Sequence, residues 1–127
     1  MSGRVAHFEI PAEDVARASS FYSDAFGWQL QSMPGMGYTL MNTTPADDQG
    51  IPSELGAING GMFVREPDLV SPVITIEVAD LDAALARVQE LGGSVVRGKA
   101  AVGEMGFAGY FKDPEGNVLG LWENATP

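Results

Sequence analysis

Cysteine is absent from the 127 residues, so disulfides, iron–sulfur clusters, thiolate zinc sites and cysteine nucleophiles are all excluded. Histidine occurs once, at His7, which rules out a two-histidine, one-carboxylate iron site within a single chain. Basic residues are few: 7 Lys and Arg stand against 17 Asp and Glu, for a net charge of −10. Such a surface repels phosphate backbones and anionic headgroups, which argues against nucleic acid and membranes as partners. No apolar run approaches the roughly 18 residues of a membrane helix. The start, Met-Ser-Gly-Arg-Val-Ala-His, lacks an apolar stretch of signal-peptide length, so the expected location is cytoplasmic. There is no G-x-S-x-G elbow and no Walker-type loop, and Ser19 and Ser20 have no base adjacent in sequence.

What is present is the material of a folded core. Hydrophobic residues make up 45% of the chain, and Phe, Trp and Tyr all occur. A chain this apolar buries enough surface to fold, and its length suits one compact domain or two small modules sharing a core.

Periodicity divides the chain into two similar halves. Arg4 to Ile10 alternates as a strand, with Val5, His7 and Glu9 on one face and Ala6, Phe8 and Ile10 on the other. Val15, Ala18, Tyr22 and Ala25 then fall at helical spacing, with acids in the first turn and Gly27 as a stop. Pro72 to Val78 is a second β-rich run. Asp80 follows as a cap for a helix striped by Leu81, Ala84, Leu85, Val88 and Leu91 and ended by Gly92-Gly93. Asp14 and Asp80 match at an offset of 66 residues. Three strands follow each helix: residues 28–33, 38–42 and 58–64, then 94–102, 107–112 and 117–122. Asp113-Pro114-Glu115-Gly116-Asn117 is a tight turn. The expected fold is α+β: two βαβββ modules, residues 1–65 and 72–127, joined by a linker at 66–71 in one compact domain. Because one such sheet cannot bury its apolar face alone, the modules should pack or curl together. Residues 43–55, polar and acidic, form either an exposed connector or a lid.

Taken in order, His7-Phe8-Glu9-Ile10-Pro11, Ser20-Phe21-Tyr22 with Phe26-Gly27-Trp28, Ile76-Glu77-Val78-Ala79-Asp80-Leu81-Asp82 and the Asp113–Asn117 turn resemble the vicinal-oxygen-chelate superfamily of glyoxalases, bleomycin-resistance proteins and dioxygenases. They are most similar to its short, glyoxalase-like members. The resemblance implies a cupped, barrel-like sheet around a small-molecule site, with the helices outside, and it makes a homodimer one of the expected assemblies. In metal-using members four strand positions converge on a divalent ion. Here the resemblance places them at His7, Val73, Gly120 and either Gly60 or Gly61. Valine and glycine have no ligating side chain, and a catalytic metal normally needs about three protein ligands. No metal and no cofactor are therefore expected, unless His7, Glu9 and Glu77 form a displaced site or a second chain completes one.

His7, Glu9 and Glu77 are the candidate catalytic residues. The imidazole can work as an acid or base near neutrality, and two carboxylates brought together would drive one pKa upward. Met33, Tyr38, Met62, Phe107, Tyr110 and Trp122 are candidates for lining a ligand pocket, since methionine and aromatic side chains suit an adaptable apolar site. Core packing is the alternative for each. Gly60-Gly61 and Gly120 mark a bulge or a place where a ligand approaches the backbone closely. The functional expectation is a protein that binds an apolar or aromatic metabolite, with a sequestration or resistance role. The alternative is a metal-dependent lyase, isomerase or dioxygenase of the glyoxalase type.

Overall fold

The computed structural model describes residues 3–48 and 50–125. Ten elements follow in order: β1 (Val5–Ala12), α1 (Val15–Phe26), β2 (Gln29–Met33), β3 (Tyr38–Asn42), β4 (Gly60–Val64), β5 (Val73–Glu77), α2 (Leu81–Glu90), β6 (Ser94–Val102), β7 (Gly106–Lys112) and β8 (Val118–Asn124). The fold is α+β and consists of two βαβββ modules, as the repeat predicts. His7–Pro72 make up one compact unit, and the second runs from Val73 onward together with the chain's first residues up to Ala6.

In the first unit β2, β3 and β4 run antiparallel to one another, and β1 joins β4 in parallel. Asp14 caps α1 by accepting the Arg17 N–H at 3.0 Å, and Gly27 ends it in the left-handed region at φ 73. The cap places Glu13 and Asp14 ahead of the first turn, not inside it as the sequence reading has them. Val15, Ala18 and Tyr22 turn toward the sheet and pack on Ala12, Met41 and Met62, together with Phe8, Ile10, Trp28 and Leu30. Tyr22 stacks on Trp28 with ring centroids 5.2 Å apart. The long β3–β4 connection is tied down at its base by the buried Asn59. Its Oδ1 accepts the N–H groups of Thr43 and Thr44, and its Nδ2 donates to the Thr44 carbonyl.

In the second unit β5 pairs with β8 in parallel, and β8, β7 and β6 continue antiparallel. Gly3 N–H donates to the Glu77 carbonyl and Glu77 N–H to the Arg4 carbonyl, which attaches the beginning of the chain to β5. Asp80 caps α2 through the Ala83 N–H, and the Glu123 carboxylate accepts the Leu81 N–H at 2.8 Å. Leu81, fully buried, and Leu85, nearly so, pack against Phe111 and Leu121. Each contributes about 1.5–3 kcal/mol through the surface it removes from water. Asp113 closes the β7–β8 turn by accepting the N–H groups of Glu115 and Asn117. The Asn117 side-chain amide, which donates to the other carboxylate oxygen, and then these backbone N–H groups hold its carboxyl below the usual range. Register shifts bend β6 between Val95 and Ala100.

Candidate functional site

Strand alternation decides which residues can form a site. In β1, Phe8, Ile10 and Ala12 face α1, so His7, Glu9 and Pro11 face away from it. Register carries that parity across the sheet. Glu9 lies beside Gly61, Pro11 beside Phe63, Phe63 beside Tyr38, and Tyr38 beside Met33. The helix-free face of the first module therefore carries His7, Glu9, Tyr38, Phe63, Met33 and Leu40 around a bare Gly61.

Tyr38 is the centre of this face. Its hydroxyl donates to Glu9 Oε2 at 2.9 Å and is 2.8 Å from His7 Nε2. Its ring stacks beside Phe63, with centroids 6.4 Å apart and planes 21° apart. To reach both partners the phenol crosses directly over Gly61, where any Cβ would overlap the Tyr38 ring and hydroxyl. Gly60 is equally constrained from the other face, with the Phe8 carbonyl 2.5 Å from where its Cβ would stand. β4 keeps continuous register through both glycines, so neither marks a bulge. What approaches this backbone closely is the protein's own Tyr38 and Phe8.

Glu9 is buried at 8% exposure, and His7 is half-buried. Desolvation lowers the His7 pKa from 6.5 to about 4, so the imidazole is neutral at pH 7. Glu77 lies in the second unit, where Arg4 holds its carboxylate at 3.1 Å.

The proposed pocket residues divide by face. Met33 and Tyr38 share the face with His7. Met62, at 0% exposure, packs beneath α1, and Phe107 packs toward α2 with Lys99 Nζ 4.3 Å from its ring centroid. Tyr110 and Trp122 lie on the helix-free face of the second module. There Tyr110 registers with Gly120, and the Trp122 ring covers Gly106. Phe63 and Leu40 belong to the first module's face and escaped the sequence reading. Phe63 shares the parity of Gly61 within β4, a signal the sequence carries, whereas Leu40 is found only through its register with Gly61. A groove of about 460 Å³ runs along α1, lined by Ile10, Ala12, Arg17, Phe21, Tyr22 and Arg65. It opens on the opposite side of β1 from His7 and Glu9 and shares none of their chemistry.

The donor set does not fit a divalent metal. Register pairs Thr75 with Gly120 as it pairs Glu9 with Gly61, so Gly61, not Gly60, is the counterpart of Gly120. Gly61 and Gly120 have no side-chain donor, and the same holds for Val73. The space above Gly61 is filled by Tyr38, and Thr75 Oγ1 stands 2.9 Å from where a Gly120 Cβ would be. Among the described residues, no three His, Asp or Glu side chains gather closely enough to hold an ion. Nor is any helix among them long and apolar enough to cross a membrane.

Comparison with known proteins agrees with this architecture. Residues 4–44 match the family described as bleomycin resistance protein-like N-terminal. A glyoxylase-like domain-containing protein of Didymella fabae is 33% identical over 129 residues, covering 93% of this chain and 91% of that protein. A Mycobacterium bovis protein that carries a glyoxylase name, CFP32, is 28% identical over 119 residues; the match takes in 91% of this chain but only 43% of that protein. Among solved structures, methylmalonyl-CoA epimerase in complex with methylmalonyl-CoA and NH4+ superposes with a TM-score of 0.67 at 18% identity, over 99% of this chain and 97% of the epimerase. The Bacillus halodurans protein BH1468 superposes with a TM-score of 0.65 at 12% identity, over 100% and 98%. At such identities these likenesses show the fold alone.

Proposed function

The chain belongs to the vicinal-oxygen-chelate superfamily, as a glyoxalase-like member, and on that premise we propose that it binds an apolar or aromatic small molecule without using a metal. The observation that carries the proposal is the replacement of donors at the strand positions where metal-using relatives place them. Gly61 lies beneath the Tyr38 ring, Gly120 and Val73 offer only hydrocarbon or backbone, and His7 Nε2 is engaged by Tyr38. Met33, Leu40 and Phe63 give the helix-free face of the first module the apolar contact surface such a ligand needs, and Tyr110 and Trp122 give the helix-free face of the second module a surface of the same character. Sequestration of an unwanted aromatic compound is the role most in keeping with a binding face that has lost its metal.

The test begins with elemental analysis of untagged protein purified without chelators, before and after refilling with zinc, nickel, manganese and iron. Sub-stoichiometric metal throughout is expected. Near-stoichiometric metal that disappears in His7→Ala would overturn the proposal. Thermal-shift screening of small aromatic compounds then identifies binders. Trp122→Ala should weaken the response to a validated binder while the variant unfolds as cooperatively as the parent; an unchanged response removes Trp122 from the site.

One observation favours a second reading. The His7–Tyr38–Glu9 chain connects an imidazole to a carboxylate, which is an arrangement able to move a proton. A metal-independent lyase or isomerase with His7 as base would use it, and turnover abolished by His7→Ala is what that reading requires.

A further inference from the structure

The hydrogen bonds on the helix-free face of the first module have a direction. Tyr38 has one hydroxyl proton, and it goes to Glu9 Oε2. The 2.8 Å contact between Tyr38 Oη and His7 Nε2 must then be made with a proton from the imidazole. A neutral imidazole has a single N–H, so a proton on Nε2 leaves Nδ1 with its lone pair. Burial keeps the ring neutral at pH 7. Among the described residues, Nδ1 has no hydrogen-bond partner, and no side-chain nitrogen or oxygen sealed from solvent lacks one. Nδ1 therefore reaches the surface, as an acceptor whose character is set two bonds away by Glu9.

We infer that the His7–Tyr38–Glu9 chain makes His7 Nδ1 the polar contact for the ligand, and that the site selects apolar or aromatic molecules bearing a hydroxyl group. This rests on the binding reading above and names its ligand class. A hydroxyl donates to Nδ1 and adds no charge to a half-buried face that already carries the Glu9 carboxylate. An ether of the same shape has no proton to give. A carboxylate is worse than either, since it is acceptor-only and brings a negative charge toward Glu9. Tyr38 is a positioning residue in this scheme: it touches His7, and its effect on the ligand passes through the tautomer it enforces.

Because His7 is the only histidine, its tautomer can be read without ambiguity from long-range ¹H–¹⁵N correlations on uniformly labelled protein. The expected result between pH 6 and 8 is a protonated Nε2 and a bare Nδ1, with Tyr38→Phe relaxing the ring to a mixture. A protonated Nδ1 in the parent overturns the inference, whatever the variants do. Binding is then compared for three probes, 2-naphthol, 2-methoxynaphthalene and 2-naphthoate. The parent should prefer the naphthol over the ether by about fivefold, the scale of one neutral hydrogen bond, and bind the naphthoate weakest. Tyr38→Phe and His7→Phe should both lose the preference. Equal binding of naphthol and ether in the parent overturns the inference while leaving the binding reading intact. Failure of all three probes to bind removes the binding reading and this ligand class with it.

Discussion

The two modules share one scaffold and differ most where their sheets face away from the helices. Register aligns Glu9, Tyr38, Gly61 and Phe63 of the first with Thr75, Ala108, Gly120 and Trp122 of the second, and His7 precedes Glu9 as Val73 precedes Thr75. On one side an ionisable chain crosses over the glycine; on the other the short Thr75 hydroxyl stands over it, with Tyr110 beside it on the neighbouring strand. At both glycines an added Cβ would meet the protein's own side chains. The space above Gly61 in the first module is filled by a tyrosine. The helices differ too, since α1 buries no residue completely while α2 buries Leu81 and Leu85.

The helix difference should yield the largest effect. Leu81→Ala is expected to cost about 3–4 kcal/mol in urea or guanidinium unfolding, and Val15→Ala about 1 kcal/mol. Equal losses would mean the second core is no tighter than the first. The glycines come next. Gly61→Ala should lose about 3 kcal/mol because its methyl meets an aromatic ring held at both ends. Gly120→Ala should lose about 1 kcal/mol, since the Thr75 hydroxyl can rotate aside. A reversal of that order would show that Tyr38 moves more easily than its hydrogen bonds suggest.

The smallest contrast is in pH. His7 binds its proton more weakly folded, at a pKa of about 4, than unfolded, at 6.5. Stability associated with its burial is thus full above pH 6.5 and falls between 6.5 and 4. About 1–2 kcal/mol should be lost between pH 8 and pH 5. His7→Phe should flatten that part of the stability profile, bringing the first module to the behaviour of the second, where Val73 has nothing to titrate. A profile identical in parent and variant would show that His7 is not desolvated.

Local pattern made most of the fold legible. Asp14 and Asp80, the helical stripes and the matched strands all depend on neighbours a few residues apart, and such signals are printed directly in sequence. Face parity within a strand was equally readable, which is why His7 and Glu9 could be placed together. Parity between strands was not. Met62 and Phe107 looked like pocket residues by chemical type, yet one step of register sends both toward the helices. The role of Tyr38 was less legible still, since it depends on a diagonal reach across β4 that is open only because residue 61 is glycine. Pattern showed that the Gly60-Gly61 pair was unusual, but only the non-local pairing shows which side chains occupy the space.

The boundary between the two units falls inside β1, between Ala6 and His7, and Gly3 and Arg4, just ahead of the strand, bond to Glu77. During synthesis this has a consequence in time. Gly3 and Arg4 leave the ribosome more than seventy positions before Glu77, which receives them, so they must wait while the later part of β1 can already pair with β4. The final fastening of the chain's start is then a late, long-range step of folding, of the kind that slows folding. Severing the chain between the modules would separate β5 from the residues that complete its edge.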